Sequence, residues 1–139
     1  MSEMYKELLM DHYHHPRNKG DLKDADVVKR GSNPRCGDDI EVGIHLQGET
    51  LDKVNFRGRG CSVCIAAASM MTESVEGKSR HQVEDLYQSM KSWFKSDDGE
   101  ADDSLGSLKA LSVVRDHPGR HRCVMLSWEA LHSAIDEAN

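Results

Sequence analysis

The feature that most restricts this chain is a change of hydrophobic period at Gly58-Arg59-Gly60. Before it, Ile40, Val42, Ile44 and Leu46 alternate with polar residues, and Val54 and Phe56 resume the alternation after a turn around Gly48. Side chains two apart share one face of a strand, so this stretch predicts a half-buried β-hairpin. After it, residues 62–76 are rich in Ala and Met and read as a helix that Gly77 can close. Residues 25–30 supply a third short strand. A hairpin followed by helices predicts an α+β fold, with a three-stranded antiparallel sheet and helices packed on one face.

The flanking segments fit that frame. Tyr5, Leu8, Leu9 and His12 recur at helical spacing until Pro16 stops the pattern. Ser79 and Gln82 have capping-box spacing, and Val83, Leu86, Tyr87, Met90 and Phe94 behind them form one apolar stripe. Residues 95–104 are acidic and lack an apolar period, which predicts a surface loop. Leu105, Leu108 and Leu111 predict a short helix. Pro118 and Gly119 interrupt the chain before a last helix with core residues Val124, Trp128, Leu131 and Ile135.

At 139 residues the chain is expected to form one domain, 1–139. It has no apolar run long enough to cross a bilayer and no secretory leader, so a cytoplasmic protein is expected. The net charge of -6 argues against nucleic acid and anionic membranes as partners, since both call for clustered Lys and Arg.

Four cysteines are too few for a disulfide scaffold, and thiols at element ends point to metal or nucleophilic chemistry. Cys36 follows Pro34 and precedes Gly37 and Asp38, so Cys36 and Asp38 can face one pocket. Cys61 lies at the strand-to-helix junction, where unpaired amides favour thiolate. Cys123 begins the last helix beside Arg120 and Arg122, which would also favour thiolate. Three thiolates and a carboxylate can make a tetrahedral Zn²⁺ site or a partial set for Fe–S chemistry. The plain alternative is three small buried hydrophobes. Cys64 forms C-x-x-C with Cys61, but the apolar residues after it favour a place in the core. Among the eight histidines His121 is the best metal candidate, two residues before Cys123, although solvation is the expected state for most of them. Met70-Met71 reads as packing.

Several stretches together resemble one family. They are His12-Tyr13-His14-His15-Pro16-Arg17-Asn18-Lys19-Gly20, Asn33-Pro34-Arg35-Cys36-Gly37-Asp38, Gly58-Arg59-Gly60-Cys61-Ser62, Ala68-Ser69-Met70-Met71-Thr72-Glu73, Gly77-Lys78-Ser79, and Val114-Arg115 through Arg120-His121-Arg122-Cys123. In this order they resemble the NifU N-terminal/IscU-like iron–sulfur cluster assembly family. The segment from Lys95 to about Ser112 looks like the insertion of its SufU branch, and Arg122 stands where IscU scaffolds carry His. The resemblance implies metal and sulfur ligands Cys36, Asp38, Cys61 and Cys123, with Arg120 near them. It implies Zn²⁺, a SufS-like cysteine desulfurase as sulfur donor, and a downstream Fe–S carrier or scaffold. The alternative is a scaffold for a transient [2Fe–2S] cluster. Cys36, in its glycine-containing turn, is expected to be the first sulfur acceptor, with Cys123 as runner-up. Cys64 departs from the family pattern and could replace Asp38 or act as a second redox thiol.

Overall fold

The computed structural model describes residues 3–35, 37–96 and 100–138. Helix α1 (Glu3–His14) is followed by strands β1 (Val27–Asn33), β2 (Asp38–Gln47) and β3 (Thr50–Arg59). Helices α2 (Ser62–Val75) and α3 (Arg80–Lys95) come next, then 3₁₀ segments at Asp103–Val114 and Pro118–Arg120, and finally α4 (His121–Ala138). The sheet is antiparallel in the order β1-β2-β3. This is the expected α+β architecture.

Alternation decides which face is buried. Ile40, Val42, Ile44, Val54 and Phe56 are each fully buried, and burying a side chain of this kind contributes roughly 1.5–3 kcal/mol. Helix α4 lies across β1 and β2 and α2 contacts β3, so helices cover that face. Gly31 lets α4 approach closely, because a Cβ there would lie 3.2 Å from Leu126. On the opposite face, Leu22 and Ala25 of the α1–β1 loop pack over Gly43. The free edge of β3 is covered too: Gly20 donates to Phe56 O and Phe56 donates to Asn18 O.

The third strand differs from its expected bounds. It occupies Val27–Asn33, with Val27 opposite Ile44 and Asn33 opposite Asp38. Pairing with β2 sets its register, and the polar residues Ser32 and Asn33 extend because β2 offers them a ladder. The shift carries β1 up to the segment that holds Cys36 and delivers Asp38 as the first residue of β2.

The later elements follow the sequence. Ser79 and Gln82 form a complete capping box on α3. Val83, Leu86, Tyr87, Met90 and Phe94 are buried, as are Val124, Trp128, Leu131 and Ile135. Leu105, Leu108 and Leu111 are buried in a 3₁₀ segment that kinks at Gly106. Of the acidic stretch, Glu100, Asp102 and Asp103 are exposed, and Asp102 caps the 3₁₀ segment through the Ser104 amide. Residues 97–99 lie outside the described residues.

Candidate metal centre

Three elements bring their ends together at the end of the sheet where β2 begins. Asp38 opens β2, Cys61 caps α2, and Cys123 lies in the first turn of α4. One ligand atom from each lies within 4.8 Å of the others. Bonds of about 2.0 Å to oxygen and 2.3 Å to sulfur place tetrahedral donors roughly 3.3–3.8 Å apart, so a modest contraction closes this trio on one ion. Cys36 was expected to complete the set and lies outside the described residues. Asn33 and Asp38 are paired across the connection that contains it, and Gly37 in that connection has φ of 72°, which favours glycine.

Asp38 is 1% exposed, a buried carboxylate. Its Oδ1 accepts the Cys61 amide at 2.9 Å, tying the start of β2 to the start of α2. Its Oδ2 meets no hydrogen-bond partner among the described residues. An orphaned buried carboxylate oxygen is costly, and a cation between it and two thiols would satisfy it. The donor set therefore fits a zinc ion.

Gly60 makes this closeness possible. A Cβ there would meet Asp38 Oδ1 at 2.8 Å and Cys64 Sγ at 3.1 Å. The Cys61 sulfur accepts the Cys64 amide at 3.4 Å, as an N-cap side chain does.

The thiols differ in access and charge. Cys61 is half-buried, and Cys123 is fully buried. The Cys123 thiol is pushed far up, first by burial and then by the Asp38 carboxylate and Cys61 beside it. This reverses the expectation that Arg120 and Arg122 favour its thiolate in the metal-free protein. Arg122 instead donates to Ser32 O. Arg120 does face the thiols: Cys61 and Cys123 raise its pKa further.

The other candidates separate clearly. Cys64 is 1% exposed, in the core as favoured, and is not among the three clustered donors. His121 is not a donor either, because its Nε2 bonds to Arg115 O at 2.7 Å and its ring packs edge-on against Phe94. Met70 and Met71 are buried in packing. His12, placed among histidines expected to be mostly solvated, is 1% exposed and bonds through Nδ1 to Ser69 Oγ at 2.7 Å. Its position on the apolar face of α1 was the available signal.

The model of the NifU-like N-terminal domain matches residues 4–138. A zinc-dependent sulfurtransferase, SufU of Bacillus subtilis, is 40% identical over 97% of this chain and 91% of its own. The chain belongs to the NifU-like N-terminal domain family. A second relative, the iron–sulfur cluster assembly scaffold protein IscU of Streptococcus pyogenes, is 30% identical over 97% of this chain and 84% of its own. A solved SufU structure from Fervidobacterium islandicum, described as a cluster assembly scaffold for the SUF system, superposes with a TM-score of 0.87. It has 26% identity and covers 97% of this chain and 99% of that one. The NifU-like fold thus extends over nearly all of this sequence. No described helix is long and apolar enough to cross a membrane.

Proposed function

We propose that this NifU-like protein works in iron–sulfur cluster assembly as a zinc-dependent sulfurtransferase, accepting persulfide sulfur from a cysteine desulfurase. The observation that carries this reading is the convergence of Asp38, Cys61 and Cys123 within 4.8 Å around an unsatisfied carboxylate oxygen. The 40% identical relative bearing that activity in its name supports it. The zinc ligands are Cys36, Asp38, Cys61 and Cys123. A bound zinc ion supplies the positive charge that holds thiols as thiolates near neutral pH.

The chain's own residues do the rest. Asp38 fixes the Cys61 amide and so the entrance of α2. Exposed Arg120 offers a cation to an incoming anionic persulfide. The Cys36 thiolate attacks the outer sulfur of the desulfurase persulfide, a new S–S bond forms on Cys36, and the desulfurase thiolate leaves. The sulfur then passes to a downstream Fe–S carrier or scaffold. This work belongs to a single cytoplasmic domain.

A second reading, a scaffold that assembles a [2Fe–2S] cluster and hands it on, is favoured by the IscU relative and the SUF scaffold structure. One experiment distinguishes them. Protein purified with and without oxygen is assayed for zinc, iron and colour, then added to a cysteine desulfurase with L-cysteine. The sulfurtransferase reading expects colourless protein, one zinc per chain, and faster desulfurase turnover that is lost on zinc removal. A brown iron-containing protein that leaves turnover unchanged establishes the scaffold reading instead.

A further inference from the structure

The Cys61-x-x-Cys64 pair remains unused by the sulfur-accepting site. Cys61 caps α2 and Cys64 is its third residue, and three residues along a helix place two Cα atoms roughly 5 Å apart, within the Cα–Cα range of about 4.4–6.8 Å that a disulfide spans. Neither is disulfide-bonded. The Cys64 amide points at the Cys61 sulfur, 3.4 Å away. The Cys64 sulfur lies against Gly60, the residue just before Cys61. It therefore leans back toward the helix start, as side chains on a helix do. Asp38 Oδ1 lies on the same glycine, so Cys64 borders the site without joining its donors.

We infer that Cys64 is the resolving thiol of the site: the Cys61 thiolate takes the outer sulfur from the Cys36 persulfide, the Cys36 thiolate leaves, and Cys64 then reduces the sulfane sulfur on Cys61 and releases it as sulfide. This rests on the sulfur-accepting function proposed above. Cluster assembly consumes sulfide, whereas a persulfide delivers sulfur two electrons more oxidised. In the step, the Cys64 sulfur attacks the inner sulfur of the Cys61 persulfide. The Cys61–Cys64 bond forms and the bond from Cys61 to the outer sulfur breaks. The outer sulfur leaves as hydrosulfide, taking the bond's electron pair and the Cys64 proton. Sulfane sulfur is reduced to sulfide, and the two cysteines are oxidised to a disulfide. An external dithiol restores them.

Geometry selects the inner sulfur. Disulfide exchange proceeds by attack at one sulfur and departure of the other. Cys64 is buried and approaches Cys61 from the helix side, whereas Cys61 is half-buried and carries its added sulfur toward the open side. Attack and departure are then opposed across Cys61. Arg120, exposed and facing Cys61, stands where the hydrosulfide anion emerges.

The test loads the full-length protein with a cysteine desulfurase and L-cysteine under anaerobic conditions. Small molecules and desulfurase are then removed, and protein-bound sulfane sulfur and released sulfide are followed without reductant. Wild type is expected to lose sulfane sulfur and release up to one sulfide per chain, with peptide mapping showing a Cys61–Cys64 disulfide. Cys64→Ser and Cys64→Ala are both expected to load normally and to release sulfide at least tenfold more slowly. Release at the wild-type rate from either variant, if folded, overturns the inference. So does wild-type release without the Cys61–Cys64 disulfide, or stable retention of sulfane sulfur by wild type. Failure of wild type to acquire any sulfane sulfur overturns the sulfur-acceptor reading, and this inference with it.

Discussion

The carboxylate of Asp38 faces two ways: Oδ1 accepts the amide of Cys61 at 2.9 Å, and Oδ2 has no hydrogen-bond partner among the described residues. One oxygen builds the fold and the other is left for a ligand. The two roles can be separated by mutation. Asp38→Asn keeps an acceptor for the Cys61 amide, and Asp38→Ala removes both functions. Both variants are expected to lose zinc to a chelator roughly 10–100-fold faster than wild type. Only Asp38→Ala is expected to lower the melting temperature of the zinc-free protein. Unchanged zinc loss in both would remove Asp38 from the ligand set.

Zinc affinity is expected to rise with pH. Burial, Asp38 and Cys61 keep the Cys123 thiol protonated in the metal-free protein, and a thiol must shed its proton to bind metal. Each proton displaced steepens the apparent affinity by up to about tenfold per pH unit. Competition with a chelating indicator, repeated at several pH values around neutrality, measures the slope. A flat profile contradicts thiolate ligation.

His12 gives a separate pH signature in stability. Burial lowers its pKa first, Arg17 adds to this, and Glu73 and Asp11 oppose it. A histidine with a depressed folded pKa binds protons more readily when unfolded. Its contribution is therefore present above the unfolded value of about 6.5 and is lost as pH falls below it through the folded value. Melting temperature is expected to fall over that window in wild type and less steeply in His12→Gln. Equal slopes would show that other groups carry the dependence.

Much of this was legible in the sequence. The alternation at Ile40, Val42 and Ile44 predicts the hairpin because period two has one structural reading, and Ser79 with Gln82 predicts a helix start through local hydrogen bonds. What the sequence hides is long-range pairing. The run Val27–Asn33 is extended by its register with β2, which its own residues do not reveal. His12 is buried because Ser69, 57 residues away, receives it. Asp38, Cys61 and Cys123 were expected to meet, but the hydrogen bond that the Cys61 amide donates to Asp38 was not visible. Adjacent basic residues misled the charge reading at Cys123: Arg122 reaches Ser32, and although Arg120 faces the thiols, burial with Asp38 and Cys61 outweighs it.

The point at which sulfur enters is expected to be Cys36. Cys123 is fully buried, and Cys61, though half-buried, is fixed by its place at the start of α2, so neither can move out to meet a partner's loop. After a brief reaction with desulfurase and L-cysteine, mass spectrometry is expected to find one added sulfur on wild type and on Cys123→Ala. Cys36→Ala is expected to lack it. A normal adduct on Cys36→Ala together with its loss from Cys123→Ala would reverse the assignment.

The most direct test of the metal centre is zinc stoichiometry in wild type and in the Cys61→Ser/Cys123→Ser variant, purified identically and checked for folding by circular dichroism. Both sulfurs belong to the trio within 4.8 Å, so one zinc per chain is expected in wild type and essentially none in the folded variant. Stoichiometric zinc retained by the variant would contradict the account.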